Sequence, residues 1–211
     1  IDSMKFDVTL SQYERIYKIV ASVGRELSHG EGKSCQFYNV TGALLLEKIY
    51  KVKARPVMGA AFIKLTESGD VLFFAKEKGR VLYSSVDAFH CWIETDKNFI
   101  DFTSPEYREA LMQAGSDNMI QRKMLQKSKS SMSQSPYELH NIGDFYFEKN
   151  ADLTNQLLSS MLKIPVTQDL AEICLEWHKR SKKKLEGFNI LNDLGEVITI
   201  APVDRSLTGS W

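Results

Sequence analysis

The sequence predicts an α+β domain in which two amphipathic helices come first and an antiparallel meander follows. Three observations carry this. Apolar residues recur at helical spacing over residues 10–27 and again over 35–50; the period then shifts to two over residues 56–102; and turn residues cut that second region into short runs.

In chain order, Ser11 with Glu14 three residues on forms a capping box, and Tyr13, Ile16, Tyr17, Val20, Val23 and Leu27 give the first helix one apolar face. A polar loop, His29-Gly30-Glu31-Gly32-Lys33, leads to Ser34 as N-cap of a second helix that opens at Cys35. Its buried face is expected to carry Phe37, Val40, Leu44, Leu45 and Ile49. Pro56–Leu65 and Val71–Lys76 read as strands around the turn Glu67-Ser68-Gly69-Asp70, and Val86–Glu94 with Phe99–Phe102 as a hairpin. Ser104-Pro105-Glu106 starts a short helix with Pro in its first turn. Residues 122–136, rich in serine and lysine, are expected to form a mobile loop. Beyond it come a strand over Asp144–Glu148, helices over Leu153–Leu162 and Leu170–Arg180, and a closing hairpin around Asn192-Asp193-Leu194-Gly195. No repeat of 20–50 residues is present, and residues 1–211 are expected to form a single domain.

Composition narrows the function classes. With 211 residues and 43% hydrophobic content the chain can bury a real core. Its 27 basic residues balance 27 acidic ones, so no global field draws it to nucleic acid or an anionic membrane. The uncharged runs, Pro56–Ile63 among them, fall short of the roughly 20 residues that a membrane span needs. Three cysteines, an odd number, fit a reducing compartment, and no basic stretch followed by an apolar one opens the chain; the expectation is a cytoplasmic protein. His29, Cys35, His90, Cys91, Asp101 and His140 match no zinc spacing, and no phosphate-cradling glycine motif occurs, so no metal or cofactor is expected. The basic residues Arg122, Lys123, Lys127 and Lys129, and the run Lys182-Lys183-Lys184, read as solvated or as a favourable helix end.

The chemistry rests on Cys35, His90 and Asp101. A thiol is nucleophilic as its thiolate, which the N-terminus of a helix favours, and the free amides of that terminus can also donate to a developing oxyanion. His90 on one strand is the candidate general base, and Asp101 on the next can hold its ring in one tautomer. Strand parity tests the pairing. A two-residue turn at Thr95-Asp96 puts His90 opposite Asp101, and a four-residue turn over Thr95–Asn98 puts Asp101 opposite Trp92, which shares its face with His90; an odd turn or a bulge separates them. Phe89, Cys91, Ile93 and Ile100 are then left to pack the other side. Cys91 and Cys174 read as small buried hydrophobes.

Cys35 at a helix start, Ala54-Arg55-Pro56-Val57 with Gly59 closely after, His90-Cys91-Trp92-Ile93-Glu94, and Phe99-Ile100-Asp101 followed by Thr103 and Pro105 resemble, in order and spacing, the transglutaminase-like branch of the papain-like cysteine hydrolases. The whole chain looks like a member of an uncharacterised bacterial domain family in that superfamily. The resemblance implies a papain-like fold with Cys35 as nucleophile, His90 as base and acid, and Asp101 as the orienting carboxylate of a thioester mechanism. The implied activities are those of peptidases, amidases, transglutaminases and arylamine N-acetyltransferases, on a peptide, amide or acyl substrate. The family often draws a second oxyanion donor from Gln or Trp before the nucleophile, but no Gln or Trp lies in the twenty residues before Cys35. Gln36 follows it instead, and that donor is left unassigned. The alternative is a noncatalytic module that keeps the fold and binds a partner through the cleft or the 122–136 loop.

Overall fold

The first helix, α1 (Leu10–Leu27), starts immediately after Thr9. The computed structural model describes residues 6–27, 34–180, 184–192 and 194–211; the loop expected at 29–33, the Lys182-Lys183 pair and Asp193 of the last turn lie outside the described residues. The capping box is Thr9 with Gln12, two residues earlier than the sequence suggests. The Thr9 backbone N–H donates to Gln12 Oε1 at 2.8 Å and the Gln12 N–H to Thr9 Oγ1 at 3.3 Å. Glu14 is free for an i,i+4 ion pair with Lys18 at 2.7 Å. Tyr13, Ile16, Tyr17, Val20 and Val23 form the buried face, as their spacing predicts.

Helix α2 (Ser34–Tyr50) departs from its expected single buried face. Tyr38, Gly42 and Leu46 are buried alongside Phe37 and Leu45, while Val40, Leu44 and Ile49 are only half-buried. The reason is enclosure: α1 packs on one side of it, and α5 (Pro165–Arg180) and strand β5 (His90–Glu94) on others. A helix surrounded by protein needs no polar stripe. Gly42 is a requirement of that packing, since a Cβ there would meet the Phe102 ring at 2.3 Å.

The main sheet is antiparallel and contains β1 (Arg55–Lys64), β2 (Val71–Phe74), β5, β6 (Asn98–Asp101), β7 (Leu125–Ser128) and β8 (Phe145–Lys149). Its register shows how the site is made. β8 pairs with Gly59–Ile63 of β1 and so fills one edge of that strand. β2, opposite Ala61–Lys64, and β5, opposite Arg55–Gly59, therefore share the other edge, end to end. They are two halves of one interrupted strand. Residues 75–89 leave at the break and return to it, carrying a small hairpin of β3 (Lys76–Lys78) and β4 (Val81–Tyr83) that the periodicity did not predict. His90 is the first residue after the gap and Phe74 the last before it. Because they oppose Gly59 and Ala61, they lie on one face of the sheet.

The hairpin turn is even in length, the four-residue alternative: Glu94 pairs with Phe99 and Ile93 with Ile100, leaving Thr95–Asn98 between them. On one face, Ile93 and Ile100 join the core made with α1 and α2. On the other, Trp92 and Phe99 pack with Leu125, Phe145 and Phe147 and with Tyr107 and Leu111 of α3 (Tyr107–Gln113).

Within residues 122–136, expected as a loop, Leu125–Ser128 form a strand. β7 pairs with β6 along its length, and Met124, Leu125 and Gln126 are buried. Each basic residue there has an internal use. Arg122 binds Glu109 at 2.9 Å, Lys123 lies over the Trp211 ring, Lys127 donates to Gly143 O at 2.6 Å, and Lys129 pairs with Glu94 at 3.4 Å. The C-terminal segment completes this edge, with Trp211 N–H donating to Met124 O at 3.1 Å. The remaining elements are α4 (Ala151–Leu162), capped by Asn150 as the Leu153 N–H donates to its Oδ1 at 3.0 Å, and the hairpin of β9 (Phe188–Leu191) and β10 (Val197–Ile200). α5 begins at Pro165, five residues before the expected start, with proline in the position where its missing N–H costs nothing. Among the described residues no helix is long and apolar enough to cross a membrane.

Candidate active site

His90 and Asp101 are brought together as strand parity requires. His90 Nε2 lies 2.6 Å from Asp101 Oδ2, and both side chains are wholly buried. Asp101 closes β6 and accepts three further hydrogen bonds. Tyr107 OH donates to Oδ2, while Asn39 Nδ2, at 2.8 Å, and the Thr103 backbone N–H, at 2.7 Å, donate to Oδ1. This is how a carboxylate tolerates complete burial: every lone-pair direction meets a donor. Burial acts to raise the Asp101 pKa, but the charge and hydrogen bond of His90, with Tyr107 and Asn39, outweigh it and hold the carboxyl below its ordinary value. Burial acts to lower the His90 pKa, but Asp101, with smaller contributions from the Cys35 thiol, raises it to about 10. Both shifts favour the charged forms of the pair.

The second ring nitrogen, His90 Nδ1, is buried and has no hydrogen-bond partner of acceptable geometry. From α2, the Cys35 thiol is close enough to the ring to contribute to its electrostatics. Cys35 lies in the first turn of α2 and is 8% exposed, packed with Met58 and Cys91. The Phe74 ring stacks on His90, with centroids 4.4 Å apart and planes at 18°, so the interrupted strand covers the imidazole it positions. The three residues singled out by the sequence therefore meet at one place. Cys91 and Cys174 are fully buried thiols, and burial pushes both of their pKa values up.

Two residues of the site were not anticipated. Asn39 stands one helical turn after Cys35, and its amide joins α2 to the sheet. Nδ2 faces Cys91 O at 2.7 Å, Asp101 Oδ1, Thr103 Oγ1 at 3.1 Å and Cys35 O at 3.1 Å, while Oδ1 accepts from the Phe102 N–H at 2.9 Å. The i,i+4 spacing from Cys35 is the signal that could have found it, since it puts a polar side chain on the cysteine's own face. Tyr107, the other, carries no sequence signal that points to Asp101. Gln36 Nε2 donates to Leu157 O at 3.1 Å and so ties α2 to α4. Glu94 sits at the end of β5 in its ion pair with Lys129, and Trp92 stacks on Phe147 at 4.7 Å as core. Among the described residues, no group of three His, Cys, Asp or Glu side chains converges as metal ligands would.

A buried cluster of Cys35, His90 and Asp101 lies where a helix meets the antiparallel sheet of this α+β protein. Residues 9–211 match the model of the family described as protein of unknown function, DUF2026, and the chain belongs to that family. A solved structure described as the crystal structure of genomics APC5867 is similar over 100% of both chains, at 27% identity and a TM-score of 0.85. No curated protein matches the chain.

Proposed function

We propose that this protein is a cysteine-dependent hydrolase or acyltransferase with a papain-like, transglutaminase-like fold, and that it works through Cys35, His90 and Asp101. The observation that carries this is the wholly buried His90–Asp101 pair at 2.6 Å, whose other ring nitrogen lacks a partner while the Cys35 thiol acts on the ring. A charged pair taken out of water seldom pays for itself in stability, which favours a chemical use. In the proposed reaction Cys35 attacks the carbonyl carbon of an amide, ester or thioester as its thiolate, its proton already carried by the His90 imidazolium. The backbone amides in the first turn of α2 receive the oxyanion. His90 gives its Nδ1 proton to the leaving group, and a thioester remains on Cys35. Water or an amine then attacks the thioester as the neutral His90 takes its proton, and the acyl product leaves with the thiolate and the imidazolium restored. Asp101 keeps Nε2 protonated throughout. The reading requires no metal or cofactor and fits a cytoplasmic protein acting on a peptide, amide or acyl substrate, without nucleic acid or membrane as partner.

The test is alkylation by iodoacetamide with peptide mapping. Cys35 should label faster than Cys91 or Cys174, and His90→Ala should slow that labelling. Equal, sluggish labelling of all three thiols would sink the enzyme reading.

One observation favours a second reading, a noncatalytic module that uses the same cleft to bind a partner: Phe74 stacks on the imidazole, which is 0% exposed. In that case Cys35 is inert, and a binding partner protects the 75–89 excursion from protease.

A further inference from the structure

The apolar side chains gathered at Cys35 suggest which substrates the site accepts. Val40, Phe89, Leu157 and Leu158 pack against the small cluster of Cys35, Met58 and Cys91. The thiol is buried, but these four residues are only half-buried, so they still expose apolar surface around it. They come from three parts of the fold: α2, the end of the 75–89 excursion, and α4. Polar bonds hold α4 in place over the thiol. Gln36 donates to Leu157 O, the Met58 N–H donates to Thr154 Oγ1 at 2.9 Å, and the Asn150 N–H donates to Met58 O at 2.9 Å. Asn150 Nδ2 also donates to Ser84 Oγ at 3.1 Å, tying the excursion that carries Phe89 to the start of α4. The two leucines are therefore a fixed wall.

Resting on the acyl-enzyme reading above, we propose that Phe89, Leu157 and Leu158 form an acyl subsite that selects an uncharged aliphatic or aromatic acyl group for transfer to Cys35. Each methylene placed on that wall leaves water, which is worth roughly a fourfold gain in rate constant. A carboxylate on the acyl chain would be desolvated against carbon and is disfavoured.

The experiment uses the full chain with the p-nitrophenyl esters of acetate, butyrate and hexanoate, and with mono-p-nitrophenyl succinate as the charged counterpart of butyrate. In each case the S–C bond forms as the ester C–O bond breaks and p-nitrophenolate leaves. Its release gives the rate, and intact mass with peptide mapping locates the acyl group on Cys35. The second-order constant should rise about fourfold per methylene, and the succinyl ester should react at least about tenfold more slowly than the butyryl ester. Leu157→Ala or Leu158→Ala should flatten the series. Acylation of Cys35 with a flat or inverted series, or with succinyl equal to butyryl, overturns the apolar subsite and leaves the acyl-enzyme reading standing. No acyl mass on Cys35 from any ester, while iodoacetamide still labels it, overturns both.

Discussion

Replacing Asn39 by leucine keeps the volume of a buried side chain and deletes every hydrogen bond it makes. The wild-type amide accepts from the Phe102 N–H at 2.9 Å and donates toward Cys91 O at 2.7 Å and Asp101 Oδ1 at 2.8 Å, all in the interior. The Phe102 N–H and Cys91 O would lose a buried partner, at about 1 to 3 kcal/mol each. Asp101 would lose one charge-assisted bond but keep three donors, so its share falls at the low end of about 1.5 to 3 kcal/mol. Because a relaxed interior admits some water, the total comes to about 3 to 5 kcal/mol. Urea denaturation of wild type and Asn39→Leu measures it. A loss of stabilisation at Asp101 should also raise that carboxyl's pKa, which carbon-detected NMR of the side chain reads separately. A destabilisation below about 1 kcal/mol, with an unmoved Asp101 pKa, would refute the role given to Asn39 as the link between α2 and the carboxylate.

Three further outcomes follow from the same geometry. Gln126 is buried, and its amide serves the N-terminal segment, accepting from the Asp7 N–H at 2.9 Å and donating to Val8 O at 2.8 Å; Gln126→Ala should cost about 2 to 4 kcal/mol and expose residues 6–9 to amide exchange. Gly59→Ala should destabilise by about 1 to 3 kcal/mol in thermal unfolding, because the new Cβ would lie 2.0 Å from Glu148 O and push β8 off β1. His90 has its pKa raised from 6.5 to about 10, so the stability it contributes is full below pH 6.5 and is lost as pH rises through about 10. Asp101, held below its ordinary value of 3.8, contributes stability that is present above that value and is lost as pH falls through its lower folded pKa. Urea midpoints of wild type should therefore fall from pH 6.5 toward 10, and in His90→Gln that component of the fall should disappear.

What the sequence made legible follows its physics closely. Helix α1 and the His90–Asp101 hairpin have strong periods of 3.6 and 2, and the even turn alone placed the histidine and aspartate on one face. Where periodicity is weak, the reading failed. β7 has Leu125 as its one apolar residue between Met124 and the serine that ends it, and its lysines looked solvated because their partners, Gly143 O and Glu94, are distant in sequence. The interrupted strand was hidden for the same reason. Nothing local in Val71–Phe74 or His90–Glu94 says that both lie along one edge of β1; only the position of β8 on the other edge fixes that. Of the site, Cys35, His90 and Asp101 could be named because residue type and spacing carry their chemistry. Tyr107 could not, because its hydroxyl finds Asp101 only once α3 has folded against the sheet.

The two members of the buried pair differ in what the fold asks of them. Asp101 is a hub: besides His90 it satisfies Tyr107 OH, Asn39 Nδ2 and the Thr103 N–H, so Asp101→Ala strands three donors as well as a charged ring. That should cost about 3 to 5 kcal/mol, the range for breaking a buried pair. His90 has one polar bond, and its Nδ1 has none with acceptable geometry. Its removal leaves a carboxylate that still accepts from three donors, and His90→Gln can offer an amide N–H in place of Nε2. It should therefore cost clearly less, about 1 to 2 kcal/mol. Paired urea titrations at pH 7 compare the two variants. If His90→Gln proves as destabilising as Asp101→Ala, the histidine belongs to the fold's own hydrogen-bonding, and slow alkylation of Cys35 in a His90 variant would report damage to the fold. If the costs separate as expected, a His90 variant stays folded and its effect on Cys35 measures chemistry.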